Sequence, residues 1–518
     1  MLQIQLLYLV AMIATFIVLL LWAKLPSGIC LMLSAVVGAI LSAIFSNTPF
    51  DLRYFIEGSF GYFDTILIIA TAMIFIGAAQ ASGALDYISA LLVKVFRKSP
   101  ALLLIAFIVI IMFPAMVTGS SLASAITTGA LVAPIMIKWG IPKAKVGAIV
   151  ALGSILGMVA PPVNVPAMVI CEVVDIAYVN FALPLLTLAL PLAIVGVLLL
   201  GRKYVKPLSM EEAEQVVDMS VLKEMNWTVT LPFLALILLI VLEFIFPVIF
   251  GTLAMPAMFV ICTVVAFLTG RNKKLPFWAK RQKAEAAPVV ENEEEVVLPE
   301  KQKAKEEAPN CVIEVVRQGV EKSLSAMGLL MGVGMFMSIF TLNGGRGYFA
   351  DLATMIPGVG RYISMAIAVP LFGGISAFGS ASILGGPYVM AFLNVHNEIY
   401  VTCGLSLLSA IGEFLPPTAM SAKFASDIVE EKSWFAITKA ALPALGVTFV
   451  YTLFYTIAMS LWLSLEHMDL VLLGFAAATL VAIIFAVIYE LILKGRKPQA
   501  AVAGATTEES ENKEDSAL

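Results

Sequence analysis

The residues of this chain that could do chemistry lie at two interruptions in long apolar stretches. Residues 118–121 (Thr-Gly-Ser-Ser) follow one apolar run, and Pro161-Pro162 followed by Asn164 breaks the next. A helix that ends at such a break presents unpaired carbonyl oxygens, which suit a cation such as Na+. A helix that begins there presents free N–H groups, which suit an anion. The hydroxyl and amide side chains add oxygen ligands without charge, so we expect ion-binding sites at both interruptions.

The second half of the chain repeats this arrangement. The sequence Gly-Ser-Ala-Ser at 379–382 is followed, at a similar distance, by Pro416-Pro417 and Thr418. Pro cannot donate to a helical hydrogen-bond ladder, and broken backbone at membrane depth is tolerated only where protein buries it or it lines a wet cavity. Interrupted helices in corresponding positions of two halves are typical of the binding site of a secondary transporter. Ordinary packing of small residues between membrane helices is the alternative explanation.

One carboxylate lies beside the Pro-Pro break of the second half. Glu413 precedes Pro416 by three residues, where the first half has Met158. Carboxylates inside a membrane are costly and are commonly functional. Four roles are open for Glu413: it carries a coupling proton, it shapes a cation site, it forms a structural ion pair with Lys423, or it lies at the membrane interface. Lys423 in turn either meets a substrate carboxylate or extends its ammonium group to the membrane surface.

Composition places these interruptions in a membrane. Of 518 residues, 60% are hydrophobic and 13% are charged, whereas about a quarter of a soluble protein is charged. We therefore predict an all-α polytopic membrane protein. The five cysteines form no CxxC pair and only two histidines occur, which argues against a disulfide framework, a zinc site or a haem site. No nucleophile–base constellation or nucleotide loop occurs, so neither an enzyme, a cofactor nor a nucleic-acid partner is expected.

The apolar stretches predict the membrane helices, each of which needs about 20 residues. Continuous spans are predicted at 2–23, 27–45, 64–82, 180–201, 226–248, 252–270, 324–342, 436–462 and 468–492. Between them we expect two re-entrant hairpins, at 100–138 and 360–397, and two Pro-Pro-interrupted helices, at 143–175 and 398–430. The amphipathic segment 84–98 is expected to lie along the membrane surface, with 346–358 as its counterpart.

The order of these segments predicts two inverted repeats inside a scaffold. The predicted units are N-terminal scaffold helices (1–63), a first repeat (64–202), further scaffold helices (203–270), a charged linker (271–311), a second repeat (312–462), a final membrane helix (463–493) and a disordered tail (494–518). If the first hairpin enters from the cytoplasm, only Arg53, Arg346 and Arg361 of the short loops fall outside. This puts the N-terminus outside, and the linker and the C-terminus in the cytoplasm.

At these motifs the chain resembles the large, DctM-like membrane subunit of the tripartite ATP-independent periplasmic (TRAP) transporters, within the ion-transporter superfamily. The strongest matches are GSSLASAITTGALVAPIMIKWG from Gly119 and GSILGMVAPPVNVPAMVI from Gly153. GEFLPPTAMSAKFASDI from Gly412 resembles the family's closing Pro-Pro motif. The resemblance covers nearly the whole chain apart from the linker and the tail. Val163 stands where the family often has Ser, and Glu413 and Lys423 fall outside the family's pattern.

The resemblance implies Na+-coupled uptake of an organic anion, such as a C4-dicarboxylate or another carboxylate, by an elevator movement in the cytoplasmic membrane of a bacterium or archaeon. It also implies two partners, a small four-helix membrane subunit and a periplasmic substrate-binding protein. With Thr118 added from the helix-end argument, the sodium-site candidates are Thr118, Gly119, Ser120, Ser121, Asn164, Gly379, Ser380, Ser382 and Thr418. The substrate or coupling candidates are Pro161, Pro162, Glu413, Pro416, Pro417, Ser421 and Lys423.

Two other functions stay open at this point. A self-sufficient carrier or Na+/H+ antiporter of the same superfamily would work without a binding protein, with Glu413 as its proton-linked group. A channel or a membrane scaffold is disfavoured, because neither needs paired, inverted broken helices.

Overall fold

The computed structural model describes residues 2–45, 51–245, 255–270, 311–356, 358–393 and 397–462. Every regular element within these ranges is helical. Seven of the described helices are long and apolar enough to span a membrane, and the prediction of an all-α polytopic membrane protein is thereby confirmed. The predicted final helix at 468–492, the tail and residues 271–310 of the linker lie outside the described residues.

The first half begins with long apolar helices and continues into a helical hairpin. Its helices are α1 (Leu2–Leu21), α2 (Ser27–Phe45), α3 (Arg53–Phe60), α4 (Phe63–Ala81), α5 (Ala84–Phe96), α6 (Pro100–Thr118), α7 (Ser121–Ser124), α8 (Ala130–Lys138), α9 (Lys143–Val159), α10 (Val165–Val174), α11 (Ala182–Gly201), α12 (Met210–Val216), α13 (Val221–Glu224), α14 (Leu231–Ile245) and α15 (Met255–Gly270). A π-helical turn, Ala125–Gly129, joins α7 to α8.

The second half repeats the hairpin and the broken helix. Its helices are α16 (Cys311–Leu342), α17 (Gly345–Met355), α18 (Val359–Gly373), α19 (Ala377–Ser380), α20 (Gly386–Phe392), α21 (Glu398–Ile411), α22 (Met420–Ile428) and α23 (Trp434–Trp462). A second π-helical turn, Ala381–Gly385, joins α19 to α20. Both π-helical turns therefore occupy the same position, one short helix after the bend of a hairpin.

The described helices agree with the predicted spans to within a few residues, with one extension. The span predicted at 324–342 is the C-terminal part of α16, which begins at Cys311. The segment 312–323 was left out of the predicted span because it contains charged residues. Arg317, however, pairs with Glu314 at 3.0 Å and with Glu321 at 3.8 Å along the helix. Pairs at spacings of three and four residues support a helix, so α16 continues through the charged segment.

Helix α16 packs against α2, α3 and α4, and we call these four helices the scaffold, although nearly all of α4 and α16 falls in segments predicted as repeats. These helices approach α16 through glycines. A Cβ atom added at Gly28 of α2 would lie 2.5 Å from the backbone oxygen of Gly328, and one added at Gly58 of α3 would lie 2.7 Å from that of Gly334. Contacts this short exclude side chains, so the backbones pack directly, as small residues allow between membrane helices. Helix α3 was not predicted, because its eight residues are too few to span a membrane.

Each hairpin folds back on itself through side-chain hydrogen bonds. We call α6 with α7, the π-helical turn and α8 hairpin one, and α18 with α19, the π-helical turn and α20 hairpin two. In hairpin one, Ser124 Oγ donates to the carbonyl oxygen of Ile111. In hairpin two, Ser380 Oγ donates to that of Val369 at 2.7 Å. Both predicted segments therefore fold back as helical pairs, and their re-entrant course through a membrane stays a prediction.

The two hairpins exchange partners between the halves. The first arm of each hairpin packs on the first half-helix of its own repeat, α6 on α9 and α18 on α21. The return arm packs on the second half-helix of the other repeat: hairpin one on α22 and hairpin two on α10. The four helix breaks are thereby gathered in one region. The inverted orientation of the two repeats and the elevator movement stay predictions.

Candidate functional site

The bend of hairpin one follows the prediction closely. Helix α6 ends at Thr118, and Gly119 adopts a left-handed conformation with φ of 63°. A Cβ atom at Gly119 would lie 2.3 Å from Cγ2 of Val165, so both conformation and space favour glycine. Ser120 then starts α7 and accepts a hydrogen bond from the Ala123 amide through Oγ, at 3.4 Å. The Thr118 hydroxyl donates to the carbonyl oxygen of Pro114 at 2.7 Å.

The break in the first Pro-Pro helix is stabilised by hydrogen bonds of Asn164. The Pro161–Pro162 peptide bond is cis, and α10 begins directly after Asn164. Its Oδ1 accepts the amide hydrogen bond of Ala167 at 3.0 Å. Its Nδ2 donates to the carbonyl oxygen of Val159 and to Ser406 Oγ, both at 2.9 Å. A single buried amide therefore caps one half-helix, binds the end of the other and reaches into the second repeat.

The bend of hairpin two lies before the predicted position. The prediction placed it at 379–382, but α18 ends at Gly373, and Ser376 starts α19 by accepting the amide hydrogen bond of Gly379 at 3.1 Å. Gly379 and Ser380 lie in α19, and Ser382 lies in the π-helical turn. The prediction was wrong because it matched the residue types of hairpin one instead of the distance to the Pro-Pro pair. Gly374 lies as far before Pro416 as Gly119 lies before Pro161, whereas Gly379 lies five residues closer.

The second broken helix joins hairpin two through Thr418. The Pro416–Pro417 bond is cis. Thr418 donates to the carbonyl oxygen of Gly374 twice, from its amide at 3.2 Å and from Oγ1 at 2.7 Å. Ala419 precedes α22 with φ of 44° and has no side chain that can cap the helix. The start of α22 therefore lacks the side-chain cap that Asn164 supplies to α10.

Glu413 connects the two repeats at this point. Its carboxylate oxygen Oε2 accepts a hydrogen bond from Ser121 Oγ of hairpin one at 2.7 Å and another from Ser421 Oγ in the first turn of α22. The Glu413 side chain is 7% exposed. We call the contact of Ser121, Glu413 and Ser421 the serine–glutamate junction. Its carboxylate lies beside the positive end of the α22 dipole, where negative charge is favoured.

Lys423 does not pair with this carboxylate. It lies on the exposed side of α22, and among the described residues no ion pair joins it to Glu413. The ion-pair interpretation of Glu413 is therefore wrong. A buried carboxylate without a cation is costly, so such a group either carries a proton or binds a cation. Hydroxyl and carboxylate oxygens are hard ligands of the kind that Na+ accepts.

The region gathers most of the predicted residues and adds others. The predicted residues that lie at or beside the four breaks are Thr118–Ser121, Asn164, Thr418, Ser421 and Glu413. Those that lie away from the breaks are Gly379, Ser380, Ser382 and Lys423. Sequence reasoning missed Gly374, Ser376 and Ser406. Spacing to Pro416 could have found the first two. Ser406 carries no signal, because its role depends on the packing of α21 against α10.

A further pair of contacts recurs in both halves. Ser154 Oγ of α9 donates to Ser124 Oγ at 3.2 Å, and Ser409 Oγ of α21 donates to Ser380 Oγ at 3.4 Å. Each pair holds a first half-helix against the return arm of its own hairpin. The recurrence of the pair, together with the recurring bends and Pro-Pro breaks, supports an internal repeat. Ser380 therefore has a packing role in hairpin two.

Comparison with known proteins identifies the family. The sequence profile described as "Tripartite ATP-independent periplasmic transporter, DctM component" matches residues 13–463. That range includes both hairpins and both broken helices. No curated protein matches the chain. The family is one of transporters and not of enzymes. The match covers well over half of the chain, which therefore belongs to the DctM family: it is the large permease component of a TRAP membrane transporter.

Proposed function

We propose that the chain couples the entry of Na+ to the uptake of an organic anion, such as a C4-dicarboxylate or another carboxylate. The observation that carries this proposal is the serine–glutamate junction, where a buried carboxylate joins the bend of hairpin one to the second broken helix. A cation bound there would neutralise Glu413 and hold hairpin one against α22. Binding of Na+ would thereby favour one arrangement of the hairpins, which is the basis of coupling.

We propose two sodium sites, one in each repeat, that differ in chemistry. The first would use the bend 118–121 and the neutral side chain of Asn164. The second would use the region of Gly374, Thr418 and Glu413, which includes a carboxylate. Helix starts at α10 and α22 point positive ends into the same region, and such ends favour anions. An organic anion between two cation sites would then be bound without a lysine or arginine from the hairpin bends at 118–121 and 374–376.

The family also indicates the partners. The large TRAP permease subunit works with a small membrane subunit and a substrate-binding protein, and we propose both as partners here. We further propose that the chain lies in the cytoplasmic membrane with the N-terminus outside and the linker inside. The distribution of lysine and arginine over short loops supports that orientation.

Uptake by proteoliposomes tests this proposal. Vesicles would contain the chain alone or with the small subunit and the binding protein, and would receive a panel of labelled carboxylates with and without a Na+ gradient. We expect Na+-dependent accumulation only when the partners are present. Accumulation that is equal without a Na+ gradient would contradict the coupling.

One observation favours a second candidate function, a self-sufficient carrier or Na+/H+ antiporter. The carboxylate of Glu413 accepts two hydroxyl hydrogen bonds and has no described cationic partner, as a proton-carrying group would. Accumulation by the chain alone, or Na+-driven proton movement reported by a pH-sensitive dye inside the vesicles, would favour this function over the tripartite one.

A further inference from the structure

A cavity separates the scaffold from hairpin one. Its volume is about 220 Å³, which is room for a small organic anion, since one water takes about 30 Å³ of liquid volume. Of the described residues that line it, Lys322 of α16 alone is charged. The polar residues beside it are Gln80 of α4, Gln318 of α16 and Thr127 of hairpin one. The cavity therefore presents one positive charge within a partly polar wall.

Lys322 has no ion-pair partner among the described residues, although its helix is rich in charge. On the neighbouring face of α16, Arg317 forms ion pairs with Glu314 and Glu321. Gln318 adds to that set, since its Nε2 donates to Glu314 Oε1 at 2.7 Å. The nearby carboxylates are thus already engaged, and the Lys322 ammonium is left for another anion.

The packing of α16 against α4 fixes the place of this charge. A Cβ atom at Gly319, one turn before Lys322, would lie 2.8 Å from the Cα atom of Ile74 in α4. The two backbones therefore touch at Gly319. Lys322 follows on the same side of α16, where the helices border the cavity.

The opposite wall belongs to hairpin one. Ala123, Ile126 and Thr127 line the cavity, and Ala123 lies two residues after Ser121 of the serine–glutamate junction. The cavity therefore borders the return arm of hairpin one within two residues of the junction. In the proposed orientation this is the cytoplasmic side, because α16 follows the linker.

We propose that Lys322 is an anion-receiving group of the scaffold: it attracts the carboxylate of the transported anion as the anion leaves hairpin one toward the cytoplasm. This inference rests on the proposed uptake of an organic anion. A scaffold charge acts on the anion only when hairpin one lies beside it, so it favours release on one side without tightening binding on the other.

Thiol labelling in the cavity tests the charge without requiring transport. Ile126→Cys places a thiol on the cavity wall, at a residue that is 37% exposed. The full-length variant in lipid vesicles would be labelled with an anionic or a cationic methanethiosulfonate, and the parent chain would serve as the blank. The measured quantity is the ratio of the anionic to the cationic labelling rate. Adding Lys322→Gln should lower this ratio by roughly fivefold, as expected when a unit charge about 8 Å away acts oppositely on the two reagents through a water-like dielectric.

Two companion variants separate this charge from other effects. Lys322→Arg keeps a cation and should preserve the ratio, and Lys94→Gln removes an exposed lysine that does not line the cavity and should also preserve it. A ratio that is unchanged by Lys322→Gln would overturn the inference. It would leave Lys322 as a side chain that merely extends to the membrane surface.

Succinate then serves as the test anion. Millimolar succinate should slow labelling of Ile126→Cys by the anionic reagent in the presence of Lys322, and should do so severalfold less with Lys322→Gln. Equal slowing in both chains would overturn the role of Lys322 in receiving a carboxylate. Labelling is measured without a gradient and does not require transport. Failure of the uptake panel would therefore contradict the proposed function, while the labelling rates would still test the role of Lys322.

Discussion

The two broken helices solve the same structural problem with different chemistry. Both contain a Pro-Pro pair and both leave a half-helix start without backbone partners. In the first, the neutral amide of Asn164 caps α10 and binds Val159 and Ser406. In the second, Ala419 supplies no cap, and the carboxylate of Glu413 lies beside the start of α22 through Ser421. Met158 occupies the position that corresponds to Glu413.

This difference indicates a division of roles between the repeats. The Asn164 side chain uses both its acceptor and its donors on protein groups, so the first break is stabilised by contacts within the protein. Glu413 offers negative charge without a described cation, so the second break depends on what binds there. We infer that the first break is mainly rigid and that the second is the one whose charge state changes during transport.

The largest effect is expected from removing that charge. Glu413→Ala leaves the hydroxyls of Ser121 and Ser421 without their acceptor, at a cost of about 1–3 kcal/mol, and it removes the negative ligand. We expect Na+-dependent uptake in proteoliposomes to fall at least about tenfold, which corresponds to about 1.4 kcal/mol.

Two variants sharpen this prediction. Glu413→Gln keeps an acceptor for the hydroxyls but not the charge, and should lose nearly as much uptake as Glu413→Ala. Met158→Leu changes the corresponding buried position at similar volume and should retain most of the uptake. Full activity of Glu413→Gln would show that hydrogen bonding matters at this position and charge does not.

Close helix contacts should be equally sensitive in both halves. A Cβ atom at Gly157 would lie 2.4 Å from the Met112 carbonyl oxygen, and one at Gly412 would lie 2.3 Å from the backbone of Gly373. Gly157→Ala and Gly412→Ala should each lower the free energy of unfolding by about 1–3 kcal/mol. Chemical unfolding in detergent would measure this, with Gly446→Ala as the control, since nothing lies within 4 Å of its added Cβ. A loss in only one half would contradict the structural equivalence of the two contacts.

The amide cap should matter for stability. Asn164→Ala removes the cap of α10, and we expect a loss of about 0.5–2 kcal/mol in the free energy of unfolding. Asn164→Asp keeps the acceptor for the Ala167 amide but loses the donors to Val159 and Ser406 and buries a carboxylate in their place. It should therefore lower the free energy of unfolding more than Asn164→Ala does. If Asn164→Ala changes neither unfolding nor Na+-dependent uptake, neither the cap of α10 nor the first sodium site depends on this side chain, and the proposed division of roles is wrong.

The smallest effects belong to the paired serines. Ser154→Ala and Ser409→Ala each remove one hydroxyl contact, at 3.2 Å and 3.4 Å. Polar contacts between membrane helices average about 0.6 kcal/mol, and we expect losses of about that size in both halves. Unfolding of the two variants in parallel would check this. A difference above about 1.5 kcal/mol between them would indicate that the two hairpins are held differently.

Much of the fold was predictable because apolar length and Pro-Pro pairs are local signals. The span at 27–45 coincides with α2, and the bend at Thr118–Gly119 was placed correctly because glycine after a helix is a strong ending signal. The bend of hairpin two was misplaced because Gly379 and Ser380 resemble Gly119 and Ser120 in type. The spacing to Pro416 was the better guide.

The centre of the site was not predictable in the same way. Ser121 and Glu413 are 292 residues apart in the chain, and their contact exists only because the return arms of the hairpins pack on the opposite repeats. Sequence analysis identified both residues as candidates but offered Lys423 as the partner of Glu413, since Lys423 is nearer in sequence. The exchange of partners between halves is a property of packing, which no local pattern encodes.

This exchange also has a consequence for how the chain is made. The return arm of hairpin one packs on α9 and also on α22, which is synthesised long after it. Until then the Ser121 hydroxyl has no carboxylate to bind, and the small and polar residues of that arm enter the membrane without their final neighbour. During biogenesis the first half therefore stays incompletely packed until α22 has been synthesised. The two halves, if expressed as separate polypeptides, should acquire protease resistance only when they are present together.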